Sequence, residues 1–179
     1  MKIVLVTGMQ GAGKSELALA FNKVGIPVIV MGDVIREEVR QRGLEPNPTN
    51  TKKVMLDLRE KDGMGAVAIR CLSELKEVKS ELVVIEGCRS IAELEVFDDY
   101  AEDVKIICVH TSPYVRYKRL KERGREDAPP DWASFRERDL REISVGLGGV
   151  IALSDIMLVN EDSLEDFRRL ITNTVAEFI

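Results

Sequence analysis

The sequence predicts an α/β chain, a three-layer α/β/α fold built on a five-stranded, mainly parallel sheet, and three observations predict it. Short apolar runs recur at about 2–7, 28–31, 81–86, 104–109 and 155–159. Segments of helical period lie between them, and this alternation is the pattern of a parallel sheet covered on both faces. The first run also breaks off at Gly8 into a glycine-rich turn that leads straight into a helical pattern.

Each element has its own reason. Ile3-Val4-Leu5-Val6 is a buried strand, and the helix of about 13–24 ends near Gly25. Pro27 opens the second strand, and a short helix follows Gly32-Asp33, with Asp33 as its N-cap. Residues 44–50, LEPNPTN, are a loop, and helices are expected at about 50–60 and 64–79. After the third and fourth strands come a strongly basic helix at about 113–123, a polar loop at 124–131 and a charged helix at about 132–145. Gly146 to Gly149 lead into an apolar turn, and an amphipathic helix at about 163–178 follows the fifth strand. Residues 1–179 read as one domain without repeats or a low-complexity linker.

The turn is Gly8-Met9-Gln10-Gly11-Ala12-Gly13-Lys14-Ser15, which fits G-x-x-x-x-G-K-[ST] at every fixed position. A strand before it and a helix after it are the context that marks a phosphate-binding P-loop. From average residue usage, a chain of this length matches the fixed positions by accident roughly once in two hundred sequences. The architecture is therefore that of a P-loop NTPase. Glycines let the backbone turn and aim successive N–H groups at phosphate oxygens, and the helix adds the positive end of its dipole. Gly8, Gly11, Ala12 and Gly13 form the cradle, Lys14 reaches the β- and γ-phosphates, and the Ser15 hydroxyl holds Mg²⁺.

Composition sets the surroundings. Apolar residues are 45% and charged residues 32%, a globular balance. The net charge of −5 argues against a chain built to grip nucleic acid with a broad basic face. Cys71, Cys88 and Cys108 are widely spaced with no C-x-x-C, so they read as core residues of a reducing compartment. No apolar run approaches a membrane span, and the N-terminus enters a strand at once, so the expected location is cytoplasmic.

In such sheets ligands sit beyond the carboxyl ends of the strands. Asp33 and Arg36 follow the second strand, while Glu86 and Arg89 follow the third. Glu86, acidic beside the P-loop, is a candidate for Mg²⁺ or for a general base. Arg116, Arg119, Arg123, Arg125, Arg136, Arg138 and Arg141 then crowd into one stretch. Arginines there suit phosphoryl transfer, because guanidinium groups neutralise two polyanionic phosphates with bidentate geometry. The plain alternative for Arg116, Arg119 and Arg123, spaced along one helical face, is a solvated basic stripe. Arg138 and Arg141 read as partners of neighbouring carboxylates on a helix surface, and Trp132 and Phe135 as packing residues.

The chain resembles the nucleoside monophosphate kinase-like P-loop kinases, such as adenylate kinase and dephospho-CoA kinase. It is most similar to an archaeal set described as adenylate-kinase-related or dephospho-CoA kinase-like. GMQGAGKS at 8–15, MGDVIREE at 31–38, VVIEGCRS at 83–90, RYKRLKERGRED at 116–127, RERDLRE at 136–142 and VIALSDIMLVNEDS at 150–163 carry the likeness. It implies that Arg36, at the Gly32-Asp33-x-x-Arg36 spacing, holds an acceptor phosphate, with Asp33 and Arg89 beside it. It implies a short lid at about 123–136 whose Arg125 and Arg136 act in catalysis, and donor contacts from Arg119, Arg123 and Asn160. Residues 33–65 become an acceptor-binding insertion. The sequence departs from the family at Glu86, where these kinases carry Asp, and at Arg89, one residue closer to that acid.

The function expected is Mg²⁺-dependent transfer of a phosphoryl group from ATP, or less favourably GTP, to a small nucleotide-like acceptor. A nucleoside monophosphate needs no base, whereas a hydroxyl acceptor, as in dephospho-CoA, would look to Glu86 or Asp33. A nucleotide-dependent switch is the rival, but no N-K-x-D follows an apolar strand, and the arginine cluster favours a second phosphate-bearing ligand. Acceptor identity and oligomeric state stay open at this stage.

Overall fold

The computed structural model describes residues 1–124 and 128–179. Alternation along the first strand decides the layering. In β1 (Lys2–Thr7), Ile3 and Leu5 point into one apolar cluster and Val4 and Val6 into another. Because successive strand side chains face opposite ways, a strand buried on both faces must be covered from both sides.

The sheet order is β2-β3-β1-β4-β5, with β2 (Val28–Val30), β3 (Leu82–Glu86), β4 (Asp103–His110) and β5 (Ile156–Val159). All four pairings are parallel, which sharpens the expected mainly parallel sheet. On one face, α1 (Lys14–Lys23) and α9 (Leu164–Ala176) bring Leu17, Phe21, Phe167 and Ile171 onto Val4, Val6 and Val109. On the other face lie α2 (Met31–Gln41), α3 (Pro48–Asp62), α4 (Ala66–Glu77) and α5 (Ile91–Tyr100). Their Val39, Leu58, Val67 and Phe97 are buried with Ile3, Leu5, Val83 and Ile85. The remaining described helices are α6 (Pro113–Arg123), α7 (Trp132–Val145) and α8 (Leu147–Ala152).

Two expectations change and one helix is added to those the sequence suggests. Asp33 is not the N-cap of α2: the helix already starts at Met31, and Asp33 sits in its first turn, where a carboxylate complements the helix dipole. The segment before β4 forms α5, announced by Ser90-x-x-Glu93: Ser90 Oγ accepts from the Glu93 N–H at 3.2 Å. The apolar turn after Gly146 is the short helix α8. Among the described residues, no helix is long and apolar enough to cross a membrane.

Register then positions the site. Glu86 pairs with Val6 on one side and Val30 on the other, so the last residue of β3 lies between the ends of β1 and β2.

Candidate functional site

The P-loop leaves β1 at Gly8 and enters α1 at Lys14. Two of its glycines are required by contact as well as by positive φ. At Gly8, φ is 134° and an added Cβ would meet Val109 O at 2.2 Å; at Gly13, φ is 111° and it would meet Asn160 Nδ2 at 2.6 Å. The loop is held from outside by three elements. Thr111 Oγ1, just past β4, and Asn160 Nδ2, just past β5, donate to Ala12 O at 3.1 and 2.8 Å. Arg116 Nη1 on α6 donates to Gln10 O at 3.2 Å.

At the start of α1, Lys14 Nζ donates to Gly8 O at 2.8 Å and Met9 O at 3.2 Å. Its pKa is lowered to about 8, first because burial disfavours the ammonium and next because Arg89 is near; Glu86 and Glu142 oppose the shift. Ser15 Oγ donates to Glu86 Oε1 at 3.2 Å. A hydroxyl and a carboxylate meeting beside a phosphate cradle are a donor pair that suits a hard divalent cation.

The P-loop forms one wall of a cleft of about 520 Å³. Residues of α2 and α3 line it too, with Met31, Ile35 and Met55 as its apolar part. Arg36, Arg59, Arg89 and Arg138 all line it. Arg36 Nε and Nη2 donate to Asp33 Oδ1 at 3.0 and 2.5 Å, Arg89 Nη1 to Glu142 Oε1 at 3.2 Å, and Arg59 Nη2 to Glu93 Oε1 at 3.2 Å. Asp33 thus reaches the cleft through Arg36, while Gly8, Gly11, Gly13, Lys14, Ser15 and Glu86 line it directly.

The arginine stripe of α6 splits into separate roles. Arg116 is not on a solvated face: its side chain is 2% exposed, bonded to Asp139 through both Nη atoms and 4.9 Å from the Phe135 ring centroid. The stripe reading fails there because α7 packs over the start of α6, with Trp132 and Phe135 against Tyr117 as the packing reading of those rings requires. Arg119 lines the cleft and donates to Asn160 O at 3.0 Å and Oδ1 at 3.3 Å. Arg123 lines the same cleft. Arg136 is exposed and outside the cleft lining, whereas Arg138, two residues on, is inside it. Arg125 and Asp127 lie outside the described residues.

Sequence reasoning missed Arg59 and Glu93, and it read Asp139 and Glu142 as surface partners of Arg138 and Arg141, whereas they bond Arg116 and Arg89. The capping signal at Ser90 could have found Glu93, whose Oε2 also accepts the Arg89 N–H at 2.7 Å. Arg59 and Asp139 carry no local signal, since both are read only through a partner 34 or 23 residues away.

A family model described as "AAA domain" matches residues 4–143, from the first strand through the P-loop to the end of the arginine-rich stretch. The UPF0200 protein of the archaeon Pyrococcus abyssi is 47% identical over 171 residues, covering 93% of this chain and 91% of its own. The chain belongs to the AAA-domain family and to the UPF0200 proteins. Among solved structures, the shikimate kinase of Bacteroides thetaiotaomicron aligns with a TM-score of 0.62 at 19% identity, covering 98% of this chain and 95% of that one. The Acinetobacter baumannii shikimate kinase, in complex with shikimate, aligns at 0.58 and 18% identity over 99% and 92%. The likeness is one of fold: this UPF0200 protein shares its chain architecture with those two structures.

Proposed function

We propose that this protein is a Mg²⁺-dependent small-molecule kinase that transfers the γ-phosphoryl of ATP to a nucleotide-like acceptor, a nucleoside monophosphate or dephospho-CoA. One observation carries the reading. The Ser15–Glu86 pair at the P-loop and the arginines Arg36 and Arg89 line a single cleft, so a donor phosphate and an anionic acceptor fit against each other.

The residues present suit both absent groups. Gly8, Gly11 and Gly13 give the loop the positive φ that a phosphate-cradling turn needs, and Ser15 and Glu86 offer two oxygens to a cation. Bound there, Mg²⁺ would neutralise charge on the β- and γ-phosphates. Lys14 would exchange its bonds to Gly8 and Met9 carbonyls for phosphate oxygens. Arg119 and Arg123 would face the donor, with Asn160 fixing Arg119 as well as the loop. Arg36 and Arg89 would orient the acceptor within a wall built from residues 33–65, and the helix after the lid would add Arg138. Arg125 remains a lid proposal of the sequence, while Arg136, exposed and outside the cleft lining, gives its place in this reading to Arg138. With a phosphate acceptor, catalysis is positioning and electrostatics; with a hydroxyl, Glu86 is the first base to test.

The test is ADP release with Mg·ATP against AMP, CMP, UMP, GMP, dephospho-CoA and free nucleosides, with shikimate added because the structural neighbours are shikimate kinases. Lys14→Ala is the blank. Turnover that depends on one acceptor and vanishes in the blank supports the kinase and names its acceptor. A slow rate indifferent to every acceptor, with tight ATP binding, replaces it with a nucleotide-dependent switch.

A further inference from the structure

Arg59 differs from the other arginines of the cleft. Its side chain is 7% exposed, while those of Arg36 and Arg89 are 41% and 45% exposed. Its Nε is, among the described residues, the one buried side-chain nitrogen or oxygen with no hydrogen-bond partner. Glu93 satisfies only Nη2, and at 3.2 Å; its other oxygen is taken by the Arg89 N–H. A desolvated guanidinium N–H without an acceptor is unfavourable, and buried polar groups of this kind are normally bonded. Arg36 and Arg89 lack this need, because water reaches them and each has its own carboxylate.

The same cleft supplies a way to meet it. Arg59 lines the cavity together with Met55 and Thr51 of its own helix and with the P-loop residues Gly8, Lys14 and Ser15. We infer that Arg59 is a further acceptor-recognition residue, beside Arg36 and Arg89, and that the acceptor carries an oxyanion, phosphate or carboxylate, which docks on the guanidinium that Glu93 leaves only partly satisfied. Glu93 then serves to position Arg59, holding one Nη so that the group is oriented before the ligand arrives. The inference rests on the kinase reading for the word acceptor; the anion site itself does not.

The experiment uses the full chain with its P-loop filled by Mg²⁺ and a non-hydrolysable ATP analogue. The Nε–H signal of Arg59 is followed by ¹⁵N NMR while inorganic phosphate and acetate are added separately. A saturable shift of that signal with one anion is the expected result, and the anion that produces it tells phosphate from carboxylate. Arg59→Lys should weaken that binding roughly tenfold, because an ammonium keeps the charge but loses the fork, while affinity for the ATP analogue stays unchanged. An Arg59 signal that ignores both anions, or an Arg59→Lys chain that binds them as wild type does, overturns the inference and leaves Arg59–Glu93 as a pin between α3 and α5. The two readings fail separately. A responsive Arg59 with a silent acceptor panel removes the kinase, and an active acceptor with a silent Arg59 removes this site.

Discussion

Arg116 and Asp139 form a two-bonded ion pair inside the protein, Nη1 to Oδ1 at 2.9 Å and Nη2 to Oδ2 at 2.5 Å, with side chains 2% and 6% exposed. The pair joins α6 to α7, and Arg116 continues to the P-loop through Gln10 O. Removing one partner leaves a buried charge alone. Asp139→Ala should therefore lose about 3–5 kcal/mol of stability, measured by urea unfolding, and Arg116→Met with Asp139→Leu should recover most of it.

Lys14 makes nucleotide affinity depend on pH. Its pKa of about 8 belongs to the nucleotide-free chain, where burial lowers it. Phosphate oxygens favour the ammonium, so binding raises that pKa, and between the two values each binding event takes up a proton. Affinity for Mg·ATP should be flat with respect to Lys14 below pH 8 and weaken above it, by up to about tenfold per pH unit. Calorimetry at pH 8.5 in buffers of different ionisation enthalpy checks the proton uptake. Equal heats, after correction for ATP itself, would contradict the prediction.

Glu86 meets Ser15 at 3.2 Å, so their joint function should appear in the metal response. Glu86→Gln keeps the shape and removes the charge. The concentration of Mg²⁺ giving half-maximal nucleotide binding should rise on the order of tenfold or more, with little change in binding of nucleotide without metal. A magnesium titration followed by fluorescence of a labelled nucleotide reads both.

The arginines of α7 separate by position. Arg138 lines the cleft and Arg136 does not. Arg138→Ala should lower acceptor-dependent turnover by about ten- to a hundredfold, the value of one charge-assisted contact, and Arg136→Ala should lower it far less. Equal losses in a steady-state assay would return Arg136 to the site.

The layers were legible because a strand such as Ile3-Val4-Leu5-Val6, apolar on both faces, has one arrangement open to it. The P-loop was legible because it is local, with every residue of the cradle within eight positions. Asp33 was misread for a physical reason: a helix can begin on Val30 and Met31 without a side-chain cap, and the acid then serves Arg36. Arg116 was misread because α-helical spacing gives a face but not what covers it, and the cover comes from Phe135 and Asp139. The part of the cleft lined by α2 and α3 was least legible, since Arg59 takes its environment from Glu93 on another helix.

The two bonds to Ala12 O have a consequence for how the chain is made. The P-loop is synthesised well before its fastenings: Thr111 lies 99 positions later and Asn160 148 positions later. A ribosome-bound chain that has reached only α7 carries the whole GMQGAGKS signature and Thr111 but still lacks the Asn160 half of that grip on its backbone. Contacts of such long sequence separation form slowly, because the loops they close are large. The family match at 4–143 also ends before Asn160. Nucleotide can then act as a late ligand for this protein, stabilising chains whose fifth strand has docked and passing over nascent ones that hold the signature alone.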